Sequence, residues 1–315
     1  DFCLSRGLGD VYKRQIQGLP DDETPLLVLP LAKEILKERS TRLEQLAQDD
    51  SLKDWLGFCS KVAKAQFNSI DAITTEVHEE KVVRESLKHG MPPVSIGSWK
   101  AGSDWDQAFE LLIKALEDQE LPESVKKVVA SLKASKGPEL RLHAENFLQA
   151  NESKIKPEWA PFIGAALQMI WMKRVEQLTP YASSYKGQST LCPVCGSHPV
   201  ASVVRVGTRD AHRYLVCSLC SSEWYATRAR CTNCETPKEV NMLGETKESL
   251  IQGECCDDCH GYLKIMYQSR DPMMEVMADD LASIQVDLAL SNEGYQRTGR
   301  NMFFMVGSET EEKDS

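Results

Sequence analysis

The chain has 315 residues, a formal net charge of −10 and eleven cysteines. Its length allows two domains with a substantial core, and no stretch approaches the roughly 18 consecutive apolar residues that a membrane-spanning helix needs. A long acidic chain without a secretory leader is typical of the reducing cytoplasm, where disulfide frameworks are rare. We therefore expect a cytoplasmic protein without membrane insertion.

Residues 1–15 share no periodicity with the rest of the chain, and we expect them to be an artefactual or disordered leader. Residues 16–185 predict a helical domain. Its clearest apolar pattern lines one face of a helix at i, i+3, i+4, i+7, i+8 and i+11: Trp105, Ala108, Phe109, Leu112, Ile113 and Leu116. Similar runs cover 31–46, 55–70, 125–132, 140–148 and 162–178. Proline and glycine separate these runs, which predicts a bundle of at least six helices.

Five tryptophans of this helical domain are expected in the core or along a groove rather than at a cofactor site. They are Trp55, Trp99, Trp105, Trp159 and Trp171. Cys59 lies in one of the apolar runs and is expected to be an inert core residue. We therefore expect no catalytic site in the helical domain.

Eight cysteines beyond this domain form four Cys-x-x-Cys pairs, and the pattern repeats with an offset of 39 residues. The first site comprises Cys192, Cys195, Cys217 and Cys220, and the second site comprises Cys231, Cys234, Cys256 and Cys259. Each site supplies four sulfurs, the number that a tetrahedral zinc ion or a rubredoxin-like iron requires. We predict two mononuclear metal ions, iron or zinc, in tandem units at 186–229 and 230–270.

Two other interpretations of the cysteines are less consistent with this pattern. A thioredoxin-type redox pair occurs once, after a strand, and a disulfide framework belongs to small secreted domains. A closed shell of four sulfurs also leaves no coordination position for a substrate or an activated water. We therefore expect metal-binding units without enzymatic activity.

Short β-type segments lie between the cysteine pairs. The segments at 200–206 and 213–216 predict a hairpin with a turn at 207–210, and those at 239–243 and 250–251 are weaker candidates. Gly196 follows the second cysteine of the first pair, whereas Ser221, Glu235 and His260 take the corresponding positions elsewhere. Glycine adopts a positive φ without strain, so the turns are expected to differ in rigidity. Units this short bury little apolar surface, and each metal is expected to fold its own unit.

Residues 271–307 predict one C-terminal helix and an extension, and residues 308–315 predict a disordered acidic tail. The helix is expected to reach about Glu293, with Gly294 as its cap. Asp279 and Asp280 are interpreted as part of a polar helix face rather than as a catalytic dyad. Cys255 directly precedes the ligand Cys256. Two roles remain open for it: it competes for the metal, or it has no role in the site. The expected fold class is thus α with a small β part: a helical bundle, two rubredoxin or zinc-ribbon-like units and a C-terminal helix.

The charge of the cysteine region bears on nucleic-acid binding, which many zinc ribbons perform. Residues 186–270 contain ten basic and nine acidic side chains, and two four-thiolate ions would add four negative charges. A surface that follows phosphates needs a clear positive excess, so we expect no nucleic-acid partner. A local basic patch for a partner's acidic segment could form from five arginines: Arg205, Arg209, Arg213, Arg228 and Arg230.

The chain resembles the formate dehydrogenase accessory protein FdhE family. The resemblance rests on the motifs at 192–197 (CPVCGS), 213–224 (RYLVCSLCSSEW), 228–234 (RARCTNC), 256–265 (CDDCHGYLKI) and 278–283 (ADDLAS), together with Asp287 and the motif at 293–295 (EGY). The order and spacing of these motifs agree with those of the family over about residues 191–301. Met302 departs from the family, which usually has proline after the asparagine.

This resemblance implies a cytoplasmic maturation factor without catalytic activity. Such a factor binds the catalytic subunit of a respiratory, exported formate dehydrogenase before translocation, and it carries two rubredoxin-like metal centres. Two alternatives from other classes remain: a rubredoxin-like electron carrier and a zinc-ribbon nucleic-acid-binding protein. The sequence leaves open whether the protein is a monomer or a homodimer.

Overall fold

The computed structural model describes residues 25–48, 51–76, 78–135, 137–151, 154–206, 212–227, 230–238 and 240–304. The expected leader at 1–15, the tail at 308–315 and the hairpin turn at 207–210 lie outside these residues.

Seven α-helices form the described N-terminal part of the protein. They are α1 (Ala32–Leu46), α2 (Lys53–Ser69), α3 (Glu80–Lys88), α4 (Ser103–Glu117), α5 (Glu123–Ala134), α6 (Gly137–Leu148) and α7 (Ala160–Glu176). Short 3-10 turns lie at Ile70–Ala72, Pro157–Trp159 and Thr179–Ser184. All six predicted apolar runs are confirmed as helices.

Helix α7 is the centre of this bundle. It is buried on nearly all sides, as expected for a helix that is apolar around its circumference, and it packs against α1, α2, α4 and α6. Trp99, Trp105, Trp159 and Trp171 are buried in the core, whereas Trp55 lines an apolar groove. The expectation of core or groove positions for the tryptophans is confirmed.

Among the described residues, eight strands form one mixed sheet, in which a short N-terminal strand joins strands from the cysteine region. They are β1 (Leu27–Val28), β2 (Pro199–Val204), β3 (Arg213–Cys217), β4 (Glu223–Tyr225), β5 (Asn241–Leu243), β6 (Ile251–Cys255), β7 (Gly261–Tyr267) and β8 (Gln296–Arg297). The strand order is β1-β4-β3-β2-β7-β6-β5, with β8 beside β7. The predicted β2–β3 hairpin pairing is confirmed.

The sheet repeats the tandem pattern of the cysteines. Strands β2, β3 and β4 form one antiparallel meander around the first site, and β5, β6 and β7 form a second around the second site. The first strand of one unit pairs in parallel with the last strand of the other, β2 with β7. The two units therefore share one continuous sheet and are not separate domains.

The C-terminal segment contains two helices where the sequence predicts one. Helix α8 (Val276–Ala282) ends before Ser283, and α9 (Ile284–Asn292) begins after it. The Ser283 hydroxyl donates to the Asp279 carbonyl at 2.8 Å, and the Lys264 ammonium donates to the Asp280 carbonyl at 3.0 Å. These bonds to main-chain carbonyls compete with continuation of the helix.

The chain then returns from β8 to the helical bundle. Gly164 of α7 lies against the main chain at Met302, and a Cβ at Gly164 would come within 1.9 Å of the Met302 carbonyl oxygen. The bundle, the small sheet and the two four-cysteine clusters confirm the expected fold class. Within the described part of the chain, none of the helices combines the length and the apolar character needed to cross a bilayer.

Candidate metal centres

The structure brings each predicted set of four cysteines together. In the first site the Sγ atoms of Cys192 and Cys220 are 3.7 Å apart, and those of Cys195 and Cys217 are 3.4 Å apart. In the second site the corresponding distances are 3.9 Å for Cys231 and Cys259 and 3.8 Å for Cys234 and Cys256. Within each site all four sulfurs lie within 4.8 Å of one another.

These distances fit a single ion inside each set of sulfurs. A tetrahedral shell with metal–sulfur bonds of about 2.3 Å has sulfur–sulfur edges of about 3.8 Å. The described cysteines are all free thiols, so no disulfide among them competes with this arrangement. Both donor sets can therefore hold a thiophilic ion such as zinc or iron.

The main chain forms the same turn at all four Cys-x-x-Cys pairs. The amide of the first cysteine donates to the carbonyl five residues later in each pair: Cys192 to Ser197, Cys217 to Ser222, Cys231 to Thr236 and Cys256 to Gly261, at 2.9 to 3.1 Å. The residue after the second cysteine has a positive φ in every turn: 79° at Gly196, 59° at Ser221, 59° at Glu235 and 51° at His260. The turns are thus alike in conformation although only the first has glycine there.

The first site is enclosed by the helical bundle. The Val94 amide donates to the Val194 carbonyl at 3.1 Å, and the Ile96 amide donates to the Cys195 carbonyl at 2.9 Å. All four ligands of the site are at most 1% exposed and belong to the same hydrophobic core as α7. The first site is therefore part of the interior of the helical domain as well as of the sheet.

Two polar side chains of the bundle hold the second turn of the first site. The Gln168 amide donates to the Ser218 carbonyl at 2.8 Å, and Arg39 donates to the Ser221 hydroxyl at 3.1 Å. Arg39 also binds Glu275 at 3.1 Å, whose carboxylate caps α8 by accepting from the Ala278 amide. A buried polar chain thus connects this turn with α8.

Burial raises the pKa of the Cys192 and Cys195 thiols in the first site well above the ordinary value, because a thiolate loses its hydration there. At Cys220 burial acts in the same direction, but hydrogen bonds from the other three cysteines and from Ser222 outweigh it and hold the pKa of that thiol well below its ordinary value. Burial also raises the pKa of Tyr185 to about 12, with the Cys192 charge as the second cause. The buried Tyr185 hydroxyl has no hydrogen-bond partner among the described residues. Four thiolates in this environment require a cation, and the donor chemistry fits a resident metal ion.

The second site lies at the periphery of the molecule. Cys231 and Cys256 are buried, but Cys234 is exposed and Cys259 is half-buried. Burial acts to raise the pKa of Cys259, yet hydrogen bonds from the Asn233 side chain and the Gly261 amide outweigh it and lower that pKa to about 7. The Asn233 nitrogen lies 3.6 Å from the Cys259 sulfur. The second site therefore has an edge that solvent reaches.

Three family models match almost the whole chain. The N-terminal FdhE model matches residues 24–187, the FdhE central domain matches 191–228, and the FdhE C-terminal domain matches 229–304. The chain belongs to the FdhE family.

Individual FdhE proteins agree with this assignment over nearly their full length. The Protein FdhE homologs of Yersinia enterocolitica and Yersinia pestis strain Pestoides F are each 35% identical over 297 residues, which cover 94% of this chain and 96% of the relative. The crystal structure of the FdhE protein from Pseudomonas aeruginosa superposes with a TM-score of 0.80 at 28% identity, covering 90% of this chain and 100% of that one. The FdhE fold thus extends over both cysteine sites.

The other described cysteines, Cys255 and Cys59, lie outside the two sulfur clusters. Cys255 is buried in β6 among Tyr262 and Leu290, and burial raises its pKa to about 12. Cys59 is buried in the helical core, as expected. Neither cluster contains a histidine.

The interpretation of Asp279 and Asp280 as a polar helix face is wrong. Both are 2% exposed. Arg42 binds Asp279 at 2.7 Å, and Asp280 accepts ion pairs from Arg297 at 2.6 Å and Lys264 at 3.2 Å. Burial acts to raise the pKa of Asp280, but the charges of Arg297 and Lys264 outweigh it and hold that pKa below its usual value. These ion pairs attach α8 to α1 of the bundle and to β7 and β8 of the sheet.

The signal for this network is present in the sequence at Lys264. A lysine in the middle of the apolar strand segment GYLKIMY is rarely buried unless it is paired. In the structure Lys264 is fully buried and binds Asp287 at 2.6 Å.

The expected local patch of five arginines is also corrected in part. Arg205 binds Glu223, and the buried Arg213 binds Glu254 at 2.5 Å. Arg209 and Arg228 lie outside the described residues. Arg205 and Arg213 therefore satisfy internal carboxylates and do not offer their charges to a partner.

Proposed function

We propose that this FdhE-family protein is a non-catalytic accessory factor in the maturation of a respiratory formate dehydrogenase. It binds the catalytic subunit in the cytoplasm before export. The observation that carries this proposal is the match to FdhE from residue 24 to 304, with both cysteine sites intact within the matched region.

The chemistry of the two sites supports a binding role rather than catalysis. Four cysteine ligands complete a tetrahedral shell, so the ion has no open position for a substrate or a nucleophilic water. We propose one iron or zinc ion in each site, held by the eight cysteines of the two clusters. At the first site the ion fastens the sheet to the helical bundle, and the protein then presents a rigid surface to its partner.

The maturation role is tested in cells that respire formate. Affinity purification of the tagged protein is expected to recover the catalytic subunit of formate dehydrogenase, and deletion of its gene is expected to abolish the enzyme's activity. Complementation with the wild-type protein controls for polar effects of the deletion. Intact formate dehydrogenase activity in the deletion strain, together with no recovery of the subunit, would refute the proposal.

A rubredoxin-like electron carrier is a second candidate, and the exposure of Cys234 is the observation that favours it. An exposed sulfur ligand provides a short path for an electron from the ion to a partner. If the protein is an electron carrier, its iron-loaded form is expected to be oxidised and reduced reversibly in a one-electron redox titration. If a zinc-only protein restores formate dehydrogenase activity in the deletion strain, the carrier role is excluded, because zinc is not redox-active.

A further inference from the structure

We propose that the second site is an exchangeable metal centre, whereas the first site retains its ion. An incoming thiolate or soft chelator displaces Cys234 from the second site and gains access to the ion. This inference depends on both sites holding metal and not on the identity of the partner protein.

Exposure of the sulfurs is the first observation. All four ligands of the first site are at most 1% exposed. In the second site Cys234 is exposed and Cys259 is half-buried. Displacement at a four-coordinate ion begins when a new ligand approaches the metal, and a fully enclosed shell blocks that approach. Only the second site offers such an edge.

The attachment of the turns is the second observation. Both turns of the first site are held by the helical bundle: one through the main chain of Val94 and Ile96, the other through Gln168 and Arg39. Opening the first site therefore requires the bundle to separate from the sheet.

The turns of the second site are held by contacts within their own unit and from the C-terminal segment. Thr236 and Lys238 bind Asp258, and Asn241 and Tyr295 bind Asp257, all through exposed side-chain pairs at 2.6 to 2.8 Å. Exposed contacts of this kind contribute little to stability, and segments with few buried contacts open first. The second site therefore opens without disturbing the bundle.

Backbone conformation adds to this difference. Both turns of the second site have non-glycine residues at a positive φ, Glu235 and His260. In the first site Gly196 adopts this conformation without strain, and the hydroxyl of Ser221 is held by Arg39. A non-glycine residue in the left-handed region is strained, and opening of the turn releases that strain. The strain at Glu235 is adjacent to the exposed ligand.

The exchange step is a ligand substitution without oxidation or reduction. A bond forms between the ion and the incoming sulfur, and the bond between the ion and Cys234 Sγ breaks. The Cys234 thiolate takes a proton from solvent, and the ion leaves with the incoming ligand once the other three cysteines have been displaced.

The direct test uses the full-length protein loaded with zinc and first shown to contain two ions. Limiting N-ethylmaleimide, an uncharged thiol reagent, is added while a chromogenic chelator reports released zinc, and peptide mass spectrometry locates the modified cysteines. We expect one ion to leave at least about tenfold faster than the other, with Cys234 and Cys259 modified before any first-site cysteine. Equal release rates, or earlier modification of the first site, would overturn the proposal.

A pair of variants at equivalent positions supplies the matched control. Cys234→Ser is expected to remove the rapidly released ion and to leave the slow phase unchanged. Cys195→Ser, 39 positions earlier, is expected to remove the slow phase. If Cys195→Ser fails to fold, the labelling of the wild-type protein decides by itself. Loss of the slow phase in Cys234→Ser would contradict the assignment of the two phases to the two sites. Recovery of the catalytic subunit of formate dehydrogenase by affinity purification tests the proposed function separately, so the two proposals can fail independently.

Discussion

Four residues at equivalent positions determine how the metal-binding turns are built. Each follows the second cysteine of its pair and adopts a positive φ, which directs main-chain amides toward the sulfurs. In the second site, for example, the amides of Thr236 and Gly261, which directly follow Glu235 and His260, are hydrogen-bonded to the sulfurs of Cys234 and Cys259. The identity of each of these residues therefore affects stability, because only glycine takes this conformation without strain.

Gly196→Ala is expected to lower the free energy of unfolding by about 1 kcal/mol, because alanine is strained at a φ of 79°. Gly57→Ala is the control: Gly57 lies inside α2, an added Cβ would meet nothing within 4 Å, and the variant is expected to gain up to about 1 kcal/mol. Denaturant unfolding of both variants measures the two effects. Effects of the same sign would contradict this explanation.

The neighbouring cysteines 255 and 256 have different roles despite their adjacency. Cys255 is packed in an apolar cluster away from the four sulfurs of the second site, whereas Cys256 belongs to them. Cys255→Ala is therefore expected to keep two ions per chain, and Cys256→Ala to retain one. Metal analysis of both purified variants distinguishes the positions. A loss of metal in Cys255→Ala would show that Cys255 is a ligand.

At the scale of elements, α8 connects the two halves of the protein. Its N-terminus is capped by Glu275, which also binds Arg39 of α1. Asp280 on the same helix binds Lys264 of β7 and Arg297 of β8. The position of this short helix is thus determined by buried charges from the bundle on one side and from the sheet on the other.

Asp280→Asn is expected to lower the free energy of unfolding by about 3 kcal/mol or more at pH 7, since it leaves Lys264 and Arg297 buried with fewer countercharges. The pKa of Asp280 is lowered in the folded protein. The stabilisation is therefore fully present above the unfolded pKa of about 3.9 and is lost as the pH falls through the lower folded pKa.

Denaturant unfolding of wild type and Asp280→Asn from pH 7 to pH 3 measures this dependence. The difference between the two proteins is expected to shrink below about pH 4, because there the Asp280 carboxylate of the unfolded wild-type chain gains a proton while that of the folded protein stays ionised. Asp71→Asn, at an exposed ion pair with Lys33, is the control and is expected to change little. A difference that does not vary with pH would show that the charge of Asp280 is not responsible.

The sequence is most informative about elements with a clear period. The helical runs and the doubled Cys-x-x-Cys interval predict the bundle and the two sulfur clusters, because both depend on local spacing. The burial of Asp280 is not predictable from helix periodicity, since it depends on Lys264 and Arg297 from distant strands. The left-handed conformation of Glu235 and His260 is likewise imposed by closure of the turn rather than by residue preference.

On the scale of the whole molecule, the two similar sites have different structural roles. The sequence leads us to expect that each metal folds only its own unit. The first site, however, shares the core of the helical bundle, and Val94 links it to that bundle through its amide, while its carbonyl accepts from Trp171 at 2.9 Å. The expectation of independence now applies to the second site only.

Removal of the first ion is therefore expected to destabilise the helical domain by several kcal/mol, because structural metal binding contributes directly to folding. Near-ultraviolet circular dichroism follows the packing of Trp99 and Trp171, whose ring centroids are 5.1 Å apart. The signal is expected to weaken in Cys195→Ser and to persist in Cys234→Ser. Persistence in both variants would indicate that the bundle does not depend on the first site.

The function and stability proposed for this protein depend on two sets of four sulfurs that each enclose one ion. Metal analysis combined with X-ray absorption spectroscopy of anaerobically purified protein is the decisive measurement. We predict two iron or zinc ions per chain, each with four sulfur neighbours at about 2.3 Å. A protein without bound metal, or one in which the eight cysteines of the two sites are joined in disulfides, would contradict this conclusion.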